Sequence, residues 1–286
     1  MNSTIDTLIK NLNKELGDYI QPLNKLEKVE PISFGIPTLD HITGVGGIPR
    51  GRLTEIYGNQ SGGKSSLCLA LVSEAQKAGL RCAYIDLEYA LTKDLASIHG
   101  VDIDNVIYVR PTTGEEAFQT MEKLLENDVK LIIVDSVSAM MTEAEGEKDF
   151  GEQTIGLQAR MMSAGLRKLI GMVQKENAAI VFINQIRDDI NKMGFGPKTT
   201  TSGGRALRFY ASLRLEVARI AWIQNSDKEK TGMVLKITVN KNKVGVPQKN
   251  TEIEYFFDSG FGKDMDKLRH LINTGALRVV GTSYYN

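Results

Sequence analysis

Gly58-Asn59-Gln60-Ser61-Gly62-Gly63-Lys64-Ser65 is the stretch on which the reading of this chain turns. It fits the spacing G-x-x-x-x-G-K-[ST], follows an apolar run at residues 53–57 and opens a helical pattern at 65–77. Strand, glycine-rich turn and helix N-terminus in that order make a cradle for phosphates. The glycines let backbone N–H groups wrap an anion, and the helix end favours negative charge. Residues 58–66, Ser66 included, are therefore expected to bind a nucleoside triphosphate. Lys64 would reach its terminal phosphates and Ser65 would ligate Mg2+.

Outward from that loop, three more apolar runs (82–87, 131–134 and 178–183) read as strands covered on both faces. Helical patterns at 65–77, 114–127 and 156–176 separate them, which predicts βαβ units and a mostly parallel central sheet flanked by helices. Every strand ends in polar residues: Gly58, then Asp86 and Glu88, then Asp135 and Ser136, then Asn184 and Gln185. In open α/β sheets ligands bind at the carboxyl ends of the strands, so the site is placed there. After Gly204 the pattern turns to alternation (213–220, 233–239, 251–257), as in antiparallel strands extending the sheet.

Asp135, at the end of the run 131–134, is the carboxylate that a magnesium shell needs beside the Ser65 hydroxyl. Hydrolysis requires a further group to orient or deprotonate water. Glu88 is the expected base, with Asp86 as a structural carboxylate. Gln185 can bond a γ-phosphate while it is present and lose that bond afterwards, which is how a switch is built.

The whole chain has 286 residues, 42% hydrophobic, with 35 basic against 35 acidic ones, so it holds a sizeable core and no bulk attraction for nucleic acid. Its expected organisation is an N-terminal helical arm (1–30), a large core (31–260) and a short C-terminal remnant (261–286). In the arm Ile5, Leu8, Ile9, Leu12 and Leu16 recur at helical spacing before Gly17, either to dock elsewhere or to pack on the chain's own core. No apolar run has the length of a membrane span, and two cysteines with three histidines leave no disulfide framework or zinc cluster. The expected location is the cytoplasm, with no membrane partner.

Local charge is uneven. Residues 184–215 hold six basic and two acidic residues, whereas 143–152 hold five acidic residues and one lysine. Two stretches without apolar periodicity, 143–156 and 187–204, follow strand ends that face the nucleotide. The second is basic and rich in hydroxyls and glycines, suited to phosphates rather than base edges. Sequence-independent binding of a single strand, a lid, or a partner-binding loop all remain open on composition.

Several ordered strings resemble the RecA family of recombinases in its bacterial form. They include Glu55-Ile56-Tyr57-Gly58, Tyr84-Ile85-Asp86-Leu87-Glu88, Val134-Asp135-Ser136-Val137 and Ala159-Arg160-Met161-Met162-Ser163. Phe182-Ile183-Asn184-Gln185-Ile186-Arg187, Thr199-Thr200-Thr201, Ala206-Leu207-Arg208-Phe209-Tyr210 and Lys241-Asn242-Lys243 continue the series. The resemblance implies a RecA-like P-loop ATPase core. It implies ATP or dATP with Mg2+, a homo-oligomeric helical filament on single-stranded DNA, and strand exchange with homologous double-stranded DNA. A single-strand-binding protein and loading mediators would be further partners. Glu88 then resembles the water-activating glutamate and Gln185 the γ-phosphate sensor. Arg160, Ser163, Arg167 and Arg187, with the N–H groups of Gly203 and Gly204, match positions that hold DNA. Ile155 and Ile190 match residues that wedge between bases. Lys241 and Lys243 resemble a pair that crosses to a neighbour's γ-phosphate, doing the work of an arginine finger. Phe209 sits where the family couples the interface to the DNA loops.

The chain departs from the family pattern at Thr92 and Leu95, where an aspartate and a tyrosine would meet adenine, and at Lys198, where a glutamate is usual. The family's C-terminal domain and acidic tail are also expected to be missing. An ATP-gated DNA-binding scaffold or recombination mediator with little turnover is the alternative these departures leave. A motor that unwinds without pairing strands is the third reading.

Overall fold

The computed structural model describes residues 2–147, 156–188, 199–280 and 283–285, and the chain divides into two compact units, Met1–Glu30 and Pro31–Asn286. In the first, a helix spans Asn2–Leu16, and Gly17 (φ 106°) ends it. Asn13 both donates to Ile20 O (2.9 Å) and accepts from Ile20 N (3.0 Å), folding the following segment back on the helix. Ile5, Leu8 and Leu16 stay exposed.

The second unit opens with a small antiparallel pair, β1 (Pro31–Ile32) and β2 (Ile48–Pro49). The main sheet follows with β3 (Arg52–Gly58), β4 (Cys82–Asp86), β5 (Val106–Val109), β6 (Leu131–Asp135) and β7 (Ala179–Asp188). These are parallel and lie side by side in the order β3, β7, β6, β4, β5. β3, β4 and β6 are buried along almost their whole length because helices cover both faces. One apolar cluster joins the sheet to the helix Lys64–Lys77, and another joins it to the helices Gly114–Glu126 and Leu157–Lys175.

Among the described residues β8 (Thr199–Thr201) pairs with β7 alone, while β9 (Leu213–Gln224) runs parallel to β3. β10 (Lys230–Asn242), β11 (Asn250–Phe256) and β12 (Gly260–Phe261) extend the sheet antiparallel. The helix Lys263–Asn273 is anchored by buried Asp266, which accepts from Thr38 N at 2.9 Å and from Thr38 Oγ1 at 2.5 Å. β13 (Arg278–Val280) and β14 (Ser283–Tyr285) form a last antiparallel pair. Among the described residues no helix is long and apolar enough to cross a membrane.

Parts of the two stretches without apolar periodicity nevertheless form regular elements. Thr142 and Glu145 form a capping box that starts a short helix, Glu143–Gly146. β7 continues past residue 183 to Asp188, and the three threonines return beside it, with Ile186 opposite Thr201 and Arg187 opposite Thr200. β-Branched residues suit such a ribbon. Ile155, Ile190 and Lys198 lie outside the described residues.

Candidate functional site

β3 delivers the phosphate loop at its carboxyl end, where the backbone is tightly constrained. A Cβ on Gly58 would stand 2.0 Å from Val217 O, so only glycine lets β9 pass this close. Gly63 caps the following helix at φ 80°, and a Cβ there would meet Leu235 Cδ1 at 2.7 Å. Lys64 folds back over the loop, donating to Asn59 O (2.8 Å) and Gly58 O (3.3 Å). Burial lowers its pKa, against the pull of Asp135 and Glu88 in the other direction.

The strand ends meet in register. Gly58 lies opposite Gln185, and Asp86 opposite Asp135. Asp135 Oδ2 accepts from Ser65 Oγ and from Tyr84 OH, each at 2.6 Å. Burial raises the Asp135 pKa, with those two hydrogen bonds opposing the rise. Two hard oxygens, a hydroxyl and a carboxylate, beside a phosphate cradle fit Mg2+ held partly by protein and partly by phosphate and water. Among the described residues no cluster of three or more His, Cys, Asp or Glu side chains is placed to hold a metal.

Glu88 lies two residues beyond β4. Its Oε1 accepts from Gln185 Nε2 at 2.9 Å and from Ser136 Oγ, which in turn contacts Ser138 Oγ at 2.7 Å. Asp86 turns away into its own loop. It accepts from Glu88 N (3.1 Å), Leu91 N (3.0 Å) and Tyr108 OH (2.9 Å), so it shapes the turn that presents Glu88. In the sequence Ser136 is legible only as a strand-end polar residue and Tyr84 only as part of a quoted string, and nothing points to Tyr108; linear spacing does not tell where any of their hydroxyls points.

A cavity of about 280 Å3 joins these groups, lined by Gln60 to Ser66, Glu88, Asp135 and Gln185, and closed by Met233, Tyr255 and Phe257. Ser66 Oγ donates to Tyr255 OH at 3.2 Å. Thr92 is used as the cap of the helix Lys93–Ile98, accepting from Leu95 N, and Leu95 packs against the core. Aromatic surface therefore reaches the phosphate cavity from β11 and the segment after it, the second group that sequence did not reveal.

Arg160, Ser163 and Arg167 lie on one helix at spacings of three and four, hence on one face, with both arginines exposed. Gly203 (φ 79°) and Gly204 (φ 74°) press against this region, where a Cβ on Gly204 would meet Ala159 Cβ at 2.9 Å. Gly203 N donates to Gln158 Oε1 at 3.2 Å, so that N–H is held by the same helix. Asn184 ties the returning segment to the sheet: Nδ2 donates to Ser202 O and Glu55 Oε1, both at 3.0 Å, and Oδ1 accepts from Ser202 N. Glu55 completes a buried ion pair with Arg214, which also stacks on Tyr57. Arg187 is placed by its backbone alone, on the β7–β8 ribbon.

Lys241 and Lys243 lie elsewhere. Lys241 is level with Arg214, which is level with Glu55, so the pair sits about 10 Å or more behind the phosphate loop along the strands. Lys241 donates to Arg208 O (2.7 Å) and Phe209 O (2.9 Å), and Lys243 lies over the exposed Phe209 ring. Burial, then Lys243 and Arg214, lower the Lys241 pKa to about 8.

Comparison with known proteins agrees with this geometry. The family model described as the RecA N-terminal domain matches residues 3–262. A Campylobacter hominis protein named RecA is 42% identical over 275 residues, covering 95% of this chain and 78% of its own length. Its counterpart from Helicobacter hepaticus is 45% identical over 264 residues, covering 91% and 76%. The crystal structure of the RadB recombinase shares the fold, with a TM-score of 0.60 at 20% identity over 80% of this chain and 98% of that one.

Proposed function

The chain belongs to the RecA family, and on that premise we propose that it is a recombinase driven by DNA-dependent ATP hydrolysis. It would form helical filaments on single-stranded DNA with Mg2+ and ATP or dATP, and pair the bound strand with a homologous duplex. The observation that carries this reading is the contact of Gln185 with Glu88 beside the Ser65–Asp135 pair, on a strand that continues into the β7–β8 ribbon.

In the proposed reaction Lys64 exchanges the carbonyls of Gly58 and Asn59 for phosphate oxygens. Ser65 and Asp135 would hold Mg2+, which would supply positive charge against that building on the phosphates. Glu88 Oε1 accepts the proton of the attacking water while the γ-phosphoryl group leaves ADP. Gln185 can move from Glu88 to the γ-phosphate, carrying its strand and hence the DNA ribbon with it. Because Lys241 and Lys243 cannot reach their own loop, they would serve the neighbouring protomer, making hydrolysis depend on assembly. The 1–30 arm would dock on an adjacent protomer, with 31–260 as catalytic core followed by the segment 261–286.

Steady-state ATP hydrolysis with and without single-stranded DNA, across protein concentrations, tests the proposal. Turnover per chain should rise with DNA and with assembly. Turnover indifferent to DNA would favour a motor, and ATP and DNA binding without turnover would favour a scaffold.

A further inference from the structure

A second cavity, of about 350 Å3, lies on the other side of the helix that follows the phosphate loop. Its wall is apolar, with Leu69 and Val72 from that helix, Val101 and Ile103 from the segment leading into β5, and Val106 from β5 itself. Two tyrosines complete it, and both reach beyond it. The ring of Tyr84 lines the cavity while its hydroxyl donates to Asp135 Oδ2 at 2.6 Å. The ring of Tyr108 lines it while its hydroxyl donates to Asp86 Oδ2 at 2.9 Å. Those two acids respectively hold Ser65 and the backbone N–H of Glu88. Any occupant touching both rings therefore touches the two side chains that fix the metal ligand and the catalytic turn.

The charges at the opening narrow the occupant. Lys93, Asp104 and Arg110 are the charged lining residues and all are exposed, two cations against one anion, beside half-exposed Ile103 and Tyr108. The Arg110 guanidinium is held over the Tyr89 ring at 4.5 Å, so it is set in place beforehand. An apolar chamber of ligand size with a cationic rim suits a body that leaves water and a charge that stays at the mouth. We propose that this cavity binds a small aromatic anion, and that occupancy alters magnesium-dependent nucleotide binding through Tyr84 and Tyr108. The coupling rests on the nucleotide site proposed above; the binding does not.

The probe is 1-anilinonaphthalene-8-sulfonate, an aromatic sulfonate that fluoresces when it leaves water. One saturable site per chain is expected. Val101→Phe, which fills the cavity, should abolish it. The surface pair Lys93→Glu with Arg110→Glu, which leaves the core untouched, should weaken it about tenfold. In calorimetric titrations, saturating probe should change the affinity for ADP in Mg2+ about fivefold, and Tyr84→Phe should remove that change while still binding probe. Equal binding by wild type and both cavity variants would overturn the site. An unchanged ADP affinity would overturn the coupling. If wild type failed to bind Mg2+ and ADP at all, the nucleotide assignment would fall and the coupling with it, while the probe isotherms would still judge the cavity.

Discussion

Gln185 Nε2 donates to Glu88 Oε1 at 2.9 Å, joining a side chain of β7 to the carboxylate just beyond β4, two strands away. Ser136 donates to the same oxygen. The orientation of the proposed base thus depends on a residue whose strand runs on into the β7–β8 ribbon. Glu88→Gln should lower DNA-stimulated turnover about 10²- to 10⁴-fold and leave ATP binding within a factor of two. Gln185→Ala should lose the DNA stimulation while keeping a basal rate. Single-turnover kinetics with equilibrium ATP binding checks both, and a Glu88→Gln protein that hydrolyses normally would remove Glu88 from the mechanism.

The position of the two lysines makes a sharper demand. A chain carrying Lys241→Ala and Lys243→Ala keeps an intact phosphate loop, and a Lys64→Ala chain keeps intact lysines. Neither should turn over when assembled alone. Mixed in equal amounts on DNA, head-to-tail contacts would bring a complete set together at roughly a quarter of interfaces. Turnover of the mixture should rise accordingly, to a level neither variant reaches alone. A mixture no better than its components would place the lysines outside the neighbour's site.

How far the sequence could show this arrangement follows from how each feature is encoded. β3, β4 and β6 read as apolar runs because helices cover both their faces. β5 did not, being four residues long and half exposed at the sheet edge. Lys64, Ser65 and Asp135 are fixed by local spacing after a strand. Ser136, Asn184 and Tyr84 owe their roles to which strands lie side by side, and adjacent strands here are far apart in the chain. Phe257 closes the phosphate cavity from almost two hundred residues downstream, where no local pattern points back to the loop.

The Glu55–Arg214 pair should be costly to break from one side. Both residues are buried, Glu55 completely, and Asn184 shares the carboxylate. Arg214→Met leaves a buried charge without its cation and should cost about 3–5 kcal/mol. The double variant Glu55→Gln with Arg214→Met should recover most of that loss. Urea midpoints report both, and equal losses in the single and double variants would contradict the pairing argument.

Half-buried Asp40 and buried His99 should oppose each other in acid. Burial raises the Asp40 carboxyl from 3.8 to about 6, although Phe34 N and Ser33 Oγ donate to it. Burial lowers His99 from 6.5 to about 4, and the charge of Lys263 adds to this; the ring stacks on Tyr255. A carboxyl raised on folding favours the protonated folded state, so its contribution is lost as pH climbs from 3.8 through 6. A histidine lowered on folding contributes above 6.5, and that contribution is lost as pH falls through 4. In the wild type the two slopes largely cancel between pH 4 and 6. Asp40→Asn should unmask the histidine, giving stability that rises with pH across this window. His99→Gln should unmask the carboxyl, giving stability that falls. Each difference from wild type should be on the order of 2 kcal/mol between pH 4.5 and 6.5. Urea midpoints at those two pH values decide the matter, because the two variants must depart from wild type with opposite sign.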